Sequence, residues 1–204
     1  ILLQFYNGYS DRFAIIPASG NLKYHNAFPG GYINHVLAVY DCAKSVLASW
    51  KLNGAMVSDF TEEELSFTIL NHDLGKFGSL DLDYYIPQTS DWHKNRGELY
   101  AHNSALSFMK TSDRSLFILQ QLGIKLSENE FLAIKLHDGL YEDSNKSYLI
   151  SYSDDYRLRS HISYILHQAD LMSARIEYDK VNRFETEKPT PVRIKKKIVI
   201  AKKE

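Results

Sequence analysis

The stretch NHDLGKFG, residues 71–78, carries the strongest signal of structure and function in this chain. A helix-like apolar run that includes Phe67 and Ile69 ends there in the adjacent pair His72 and Asp73, and Lys76 follows at once. An imidazole and a carboxylate are costly to bury without partners, because both lose their hydration. Their position becomes reasonable if the two side chains bind something charged. We therefore expect a functional site at the end of this helix.

Outward from this stretch, apolar residues recur with the spacing of helices. Thr61 and Glu64 form a capping-box pattern before the helix that leads into the stretch. Ser127 and Glu130 repeat the pattern before a helix that ends near His137. The helix after Thr61 spans residues 62–73, and the other predicted helices span residues 32–52, 97–109, 114–122 and 156–178.

The sequence predicts an all-α fold, because strand-like alternation occurs only near Ile198 and Ile200. Three parts are distinguished by composition. Residues 1–30 are aromatic and irregular and are expected to pack on the core, residues 31–180 form the helical domain, and residues 181–204 form a basic C-terminal extension. The extension is either a solvated tail or a weak basic arm for nucleic acid.

Composition excludes several classes of protein. The formal net charge of the 204 residues is −1, so global charge does not favour binding to nucleic acid or to a membrane. A single cysteine, Cys42, excludes a disulfide framework and a cysteine-rich zinc site. No long apolar run and no secretory signal are evident. We expect a cytoplasmic protein, in the host cytoplasm if a phage encodes it.

Several histidines occupy positions where the predicted helices should be buried, among them His35, His137 and His167. A lone histidine on an apolar helix face is usually a core residue with its hydrogen bonds satisfied. That interpretation weakens here because Asp73 and Asp170 also stand in apolar company. A divalent cation removes the penalty of burying such carboxylates.

Four segments together resemble the HD superfamily of metal-dependent phosphohydrolases. They are GGYINHVLAVYDCA, ILNHDLGKFG, AIKLHDGLY and HQADLMSARI, in the order H…HD…H…D. The style of these motifs is most similar to small phage-type HD proteins and to the HD domain of 3′→5′ exoribonucleases. The resemblance implies an HD-domain helical bundle that binds a divalent metal and hydrolyses phosphate esters or anhydrides.

Carried over position by position, the resemblance implies these metal ligands: His35, His72, Asp73 and Asp170. A second ion would use His102 and His137, with His93 as the competitor of His102, and Asp73 could bridge the two ions. One or two ions of Mn, Fe, Co, Ni, Zn or Mg are therefore expected, and imidazole ligands favour the transition metals over Mg alone. His25, just upstream, either supports this site or is structural.

The same resemblance implies roles toward the substrate. Asp73 and Lys76 would be catalytic, with Lys76 reaching a phosphate oxygen; Lys94, Arg96 and Tyr141 would contact the substrate. A nucleotide is the favoured substrate. The alternatives are a nuclease or phosphodiesterase on short RNA or DNA, a nucleotide-binding HD protein without activity, and a purely structural helical domain.

Overall fold

The computed structural model of the protein describes residues 1–186. In chain order its elements are α1 (Leu2–Gly8), α2 (Ser10–Phe13), α3 (Gly31–Leu52), α4 (Glu62–Asn71), β1 (Tyr85–Pro87), α5 (Asp91–Lys94), β2 (Tyr100–His102), α6 (Thr111–Gln121), α7 (Glu128–Leu136), α8 (Lys146–Leu149) and α9 (Ile162–Thr186). Short 3₁₀ helices occupy Leu74–Phe77, Gly139–Tyr141 and Asp143–Asn145. The described chain is mostly helical, as expected.

Local sequence signals place the helices that carry the site. The side chain of Thr61 accepts a hydrogen bond from the N–H of Glu64 at the start of α4, and the Glu64 carboxylate accepts one from the N–H of Thr61. Ser127 and Glu130 form the same capping box at the start of α7. Both predicted capping boxes are therefore confirmed, and so is the long helix α3.

Two buried clusters form the core. The first packs aromatic residues of the N-terminal helices, such as Phe5 and Phe13, against Phe77. The second lies along α3 and α9, which share the largest helix–helix interface of the described chain, and includes Ile69 of α4. The pair His72–Asp73 lies in the chain between Ile69 of the second cluster and Leu74 of the first. It is therefore held by packing on both sides.

Three predicted elements are wrong. Residues 97–109 are not a helix, because β2 within them pairs antiparallel with β1. The first thirty residues pack on the core as expected, but they are not irregular throughout, because they include α1 and α2. The last helix begins at Ile162, later than residue 156, and continues past residue 180 to Thr186. The remainder of the predicted extension lies outside the described residues.

Within residues 1–186, no helix combines the length and the apolar character needed to cross a bilayer.

Candidate metal centre

Five side chains, carried by α3, α9 and the segments that follow α4 and α7, converge at one buried point. Nε2 of His35, on α3, lies 3.1 Å from Oδ1 of Asp170, on α9, and 3.7 Å from Oδ2 of Asp73. Nε2 of His72, just after α4, lies 3.6 Å from Oδ2 of Asp73 and 4.0 Å from Oδ1 of Asp170. His137, just after α7, places Nε2 3.6 Å from Oδ1 of Asp73.

A hydrogen bond at Nδ1, the ring nitrogen opposite the cluster, orients the imidazoles of His72 and His137. Nδ1 of His72 bonds to the carbonyl oxygen of Ile69 at 2.7 Å, and Nδ1 of His137 bonds to that of Ile134 at 2.8 Å. Since a carbonyl oxygen only accepts, Nδ1 carries the proton in both rings and Nε2 of the neutral ring presents a lone pair to the site. Such hydrogen bonds on the rear nitrogen are typical of metal-binding histidines.

His35 is oriented by a carboxylate instead. Its Nδ1 lies 3.0 Å from Oε2 of Glu177, which is itself almost fully buried on α9. Glu177 was not predicted from the sequence. It stands two helical turns after Asp170 on the same face of α9, so the helical period offered a signal that could have found it.

One nitrogen at this point lacks any protein partner. Nε2 of His72 is buried and, among the described residues, meets no hydrogen-bond partner. An unsatisfied buried polar atom costs about 1–3 kcal/mol. Its lone pair faces the carboxylate oxygens of Asp73 and Asp170, which are electron-rich as well, so protein alone does not satisfy the arrangement. A cation accepts electron pairs from all of these atoms, and the residues present therefore fit a metal ion.

The pKa values of the three histidines also reflect the burial of these carboxylates and imidazoles. Burial lowers the pKa of His35, but its hydrogen bonds to Asp170 and Glu177 outweigh burial and raise the pKa to about 9. For His137, burial is outweighed by the charges of Asp138 and Asp73, and the pKa rises to about 10. Burial dominates for His72 and lowers its pKa to about 4. Without an ion, protons on two histidines thus compensate the carboxylates.

Asp73 turns its two oxygens toward different groups. Oδ2 faces His35 and His72 and also pairs with Nζ of Lys76 at 2.5 Å, whereas Oδ1 faces His137. Burial opposes ionisation of Asp73, but Lys76 and the neighbouring histidines hold its pKa well below the usual range. A carboxylate that is ionised and directed to both sides is suited to ligate or bridge cations.

A serine from α6 holds the turn that carries these ligands. Oγ of Ser115 accepts a hydrogen bond from the N–H of Gly75 at 2.7 Å and donates to the carbonyl oxygen of His72 at 2.8 Å. Gly75 also packs against the backbone of Thr111, where an added Cβ would lie 2.2 Å from the carbonyl oxygen. Position 75 therefore requires glycine for α6 to pack this closely on the turn. Sequence reasoning did not identify Ser115.

The cluster lies at the base of a cleft of about 420 Å³. Lys76 and His25 line the cleft, and further polar side chains that line it include Asp138, His167 and Arg175. Tyr141 also lines the cleft, as predicted for a substrate contact, and its hydroxyl hydrogen-bonds to the guanidinium of Arg175.

Three predicted site residues lie elsewhere. His102 belongs to β2, with its ring against Tyr84 and Tyr85, and it is not among the described side chains that converge at the cluster. Lys94 pairs with Asp91, and Arg96 stacks on Trp92; neither lines the cleft.

Asp138, which was not predicted from the sequence, lies beside the cluster. Its Oδ1 lies 3.6 Å from Nε2 of His137, and the two residues form a potential ligand group with Asp170. It was overlooked although it forms a second His–Asp doublet in the chain.

In comparisons with known proteins, no family model, no curated protein and no solved structure matches this chain.

Proposed function

We propose that this chain is a metal-dependent phosphohydrolase that acts on a nucleotide. The observation that carries the proposal is the orphaned Nε2 of His72, buried beside the carboxylates of Asp73 and Asp170. The ordered motifs that resemble the HD superfamily support it further. Hydrolysis of phosphate esters or anhydrides suits a centre that joins cation ligands to a lysine in one cleft.

His35, His72, Asp73 and Asp170 would hold the ion through imidazole nitrogens and carboxylate oxygens. When bound, such a cation acidifies a water molecule and neutralises charge on phosphoryl oxygens. Imidazole and carboxylate donors suit Mn²⁺, Fe²⁺, Co²⁺, Ni²⁺ or Zn²⁺.

The remaining side chains of the cleft would act on the substrate. Lys76 is close enough to the ligands to contact a phosphoryl oxygen, and the charge of Asp73 keeps it protonated by raising its pKa. At the mouth, Tyr141 offers an exposed ring for a nucleobase, and Arg175 offers a guanidinium for a further phosphate or a sugar hydroxyl.

A second ion would lie on the other side of Asp73. Oδ1 of Asp73, Nε2 of His137 and Oδ1 of Asp138 supply donors there. Because Asp138 stands beside His137, the two-ion centre no longer needs His102. His137→Ala should then remove one equivalent of metal, whereas His102→Ala should remove none, as measured by elemental analysis after dialysis against excess Mn²⁺.

The experiment that tests the proposed function is turnover on a panel. Metal-stripped protein is resupplied with each transition metal and offered nucleoside mono-, di- and triphosphates and short RNA and DNA. We expect phosphate release from a nucleotide, with none from Asp73→Asn and full activity from Asp41→Asn, whose carboxylate is exposed on α3. Cleavage of RNA or DNA alone would establish the nuclease alternative. Metal and nucleotide binding without turnover would establish a non-catalytic protein.

A further inference from the structure

His25 is a histidine of the cleft that the metal centre leaves unused. Its ring packs on His35, with the two centroids 4.6 Å apart, and it lines the cleft together with Lys76 and Asp73. Its Nε2 is buried and meets no hydrogen-bond partner among the described residues. His25 therefore contributes a second buried nitrogen without a hydrogen-bond partner among the described residues, after Nε2 of His72. One of its ring nitrogens also lies within 4.8 Å of donor atoms of His35 and Glu177.

The loop that carries His25 is built to hold it in this position. Asn26, the next residue, has a φ of 47°, a left-handed conformation that few residues other than glycine adopt. Its carbonyl oxygen accepts a hydrogen bond from the N–H of Ala18 at 3.0 Å. A Cβ added to Gly31 would lie 2.0 Å from that oxygen, so the start of α3 also packs against the loop. Asparagine is one of the few residue types other than glycine that adopt this conformation readily, so the sequence supports the loop that positions His25.

The chemistry of the orphaned atom follows from what surrounds it. The ligand side chains beside His25 present lone pairs, and a phosphoryl group likewise brings only acceptor oxygens in its ionised form. A group that joins such a phosphoryl group to this wall of the cleft must supply an N–H. Lys76 supplies N–H groups from the same cleft, one of which pairs with Asp73, and His25 supplies a further donor.

We propose that His25 is a catalytic residue, and that its Nε2–H donates a hydrogen bond to an oxygen of the substrate's phosphoryl group. This proposal rests on the proposed phosphohydrolase function. No proton is transferred in the contact; the imidazole remains neutral and stabilises charge that grows on the phosphoryl oxygens in the transition state. The binding partner at this point is therefore a phosphate group in an ester, an anhydride or free inorganic phosphate.

Two substitutions separate this role from packing. His25→Phe keeps a ring against His35 but removes the donor, whereas His25→Gln keeps an N–H near the position of Nε2. Leu22→Ala, at an exposed residue of the same loop that does not line the cleft, is the matched control. Metal content, thermal unfolding, turnover, and calorimetric binding of inorganic phosphate to the metal-loaded protein are measured for all three and for the unsubstituted protein.

We expect His25→Phe to bind inorganic phosphate about tenfold more weakly and to raise KM by about the same factor, because the contact is already made to bound phosphate. A fall in kcat of about tenfold should accompany it, because the hydrogen bond strengthens as charge grows in the transition state. His25→Gln should stay within about threefold of the unsubstituted protein by the same reasoning, and metal content should not change in either variant. Equal losses in the two variants would assign His25 to packing. Loss of metal from His25→Phe would make it a ligand, and either result overturns the proposal.

The phosphate titration keeps this proposal distinct from the proposed function. If the unsubstituted protein hydrolyses no nucleotide but His25→Phe still binds phosphate more weakly, the phosphohydrolase is refuted and the contact stands. If nucleotides are hydrolysed and His25→Phe matches the unsubstituted protein in both measurements, the contact is refuted and the phosphohydrolase stands. A metal-loaded unsubstituted protein that binds no inorganic phosphate also overturns the role of His25.

Discussion

The N–H of Gly75 donates a hydrogen bond to Oγ of Ser115 at 2.7 Å, and this bond ties α6 to the turn that carries the candidate metal ligands. Ser115→Ala removes the acceptor and leaves the buried N–H of Gly75 and the carbonyl oxygen of His72 unsatisfied. We expect a loss of about 1–3 kcal/mol in the free energy of unfolding, together with weaker metal binding. Ser147→Ala, at an exposed site on α8, is the control. Unchanged metal affinity in Ser115→Ala would show that the turn holds its shape without α6.

Gly139 allows a comparable test at the second His–Asp doublet. Its φ is 57°, and an added Cβ would lie 1.9 Å from Cε1 of His167, whose Nδ1 donates to the carbonyl oxygen of His137. Gly139→Ala should therefore destabilise the fold and displace His137. Gly123→Ala is the matched control, because Gly123 has a φ of 72° and open space around the new Cβ. Chemical denaturation measures both.

The backbone conformation alone should cost about 1–2 kcal/mol in either variant. Gly139→Ala should lower the free energy of unfolding more than Gly123→Ala does, because only the first substitution clashes with His167. When Gly139→Ala is made in a chain that already carries His167→Ala, this additional loss should disappear, since the two sites are coupled. Equal losses for the two glycines would contradict the close contact with His167.

Metal binding should depend on pH, with affinity rising as pH rises. The pKa of His35 is raised to about 9 and that of His137 to about 10, so both rings are protonated near neutral pH in the ion-free protein. An ion that binds their Nε2 atoms must displace those protons. Calorimetry in buffers of different ionisation enthalpy should therefore detect proton release at neutral pH, and less of it above pH 10. A pH-independent affinity would contradict the role of these histidines.

The same pKa shifts govern the stability of the ion-free protein. Because both values are raised above the ordinary value of about 6.5, the folded state binds these protons more tightly than the unfolded state does. Their contribution is complete below that ordinary value and is lost as pH rises through about 9 to 10. The melting temperature of ion-free protein should fall over this range. His35→Gln should reduce the part that His35 contributes.

Lys76 should affect turnover more than metal content. Lys76→Met keeps the aliphatic stem and removes the charge that pairs with Asp73. Since the ammonium competes with cations for that carboxylate, metal should bind as well or better, while kcat should fall about 10²- to 10³-fold, as when a single oxyanion donor is removed. Lys44→Met, at an exposed lysine of α3, should leave both quantities unchanged. Full turnover by Lys76→Met would exclude its contact with the phosphoryl group.

Sequence reasoning succeeded where the determinants of structure are local. The capping boxes that start at Thr61 and Ser127 act over three residues, so they can be read directly from the chain. It failed where the partner is distant. Tyr100–His102 becomes a strand because Tyr85–Pro87 pairs with it. The last helix starts at Ile162, where Asp59, which is distant in the chain, accepts a hydrogen bond from the N–H of His161.

The same distinction applies to the site. His35, His72, Asp73 and Asp170 were identified from an ordered pattern, and the structure brings them together. Glu177 and Ser115 escaped notice because their roles arise only when α9 packs on α3 and when α6 packs on the turn at Gly75. His102 was favoured on the assumption of a helix that does not form, so its side chain lies on a strand among tyrosines.

The C-termini of α4 and α7 contribute to the charge of the site. His72 and His137 are the C-cap residues of these helices, so two C-termini, each with the partial negative charge of its last carbonyl groups, are directed at the cluster. These partial charges add to the charges of Asp73 and Asp170 and favour a cation at the cluster. They act on any divalent ion alike, so the choice among metals is left to the imidazole and carboxylate ligands.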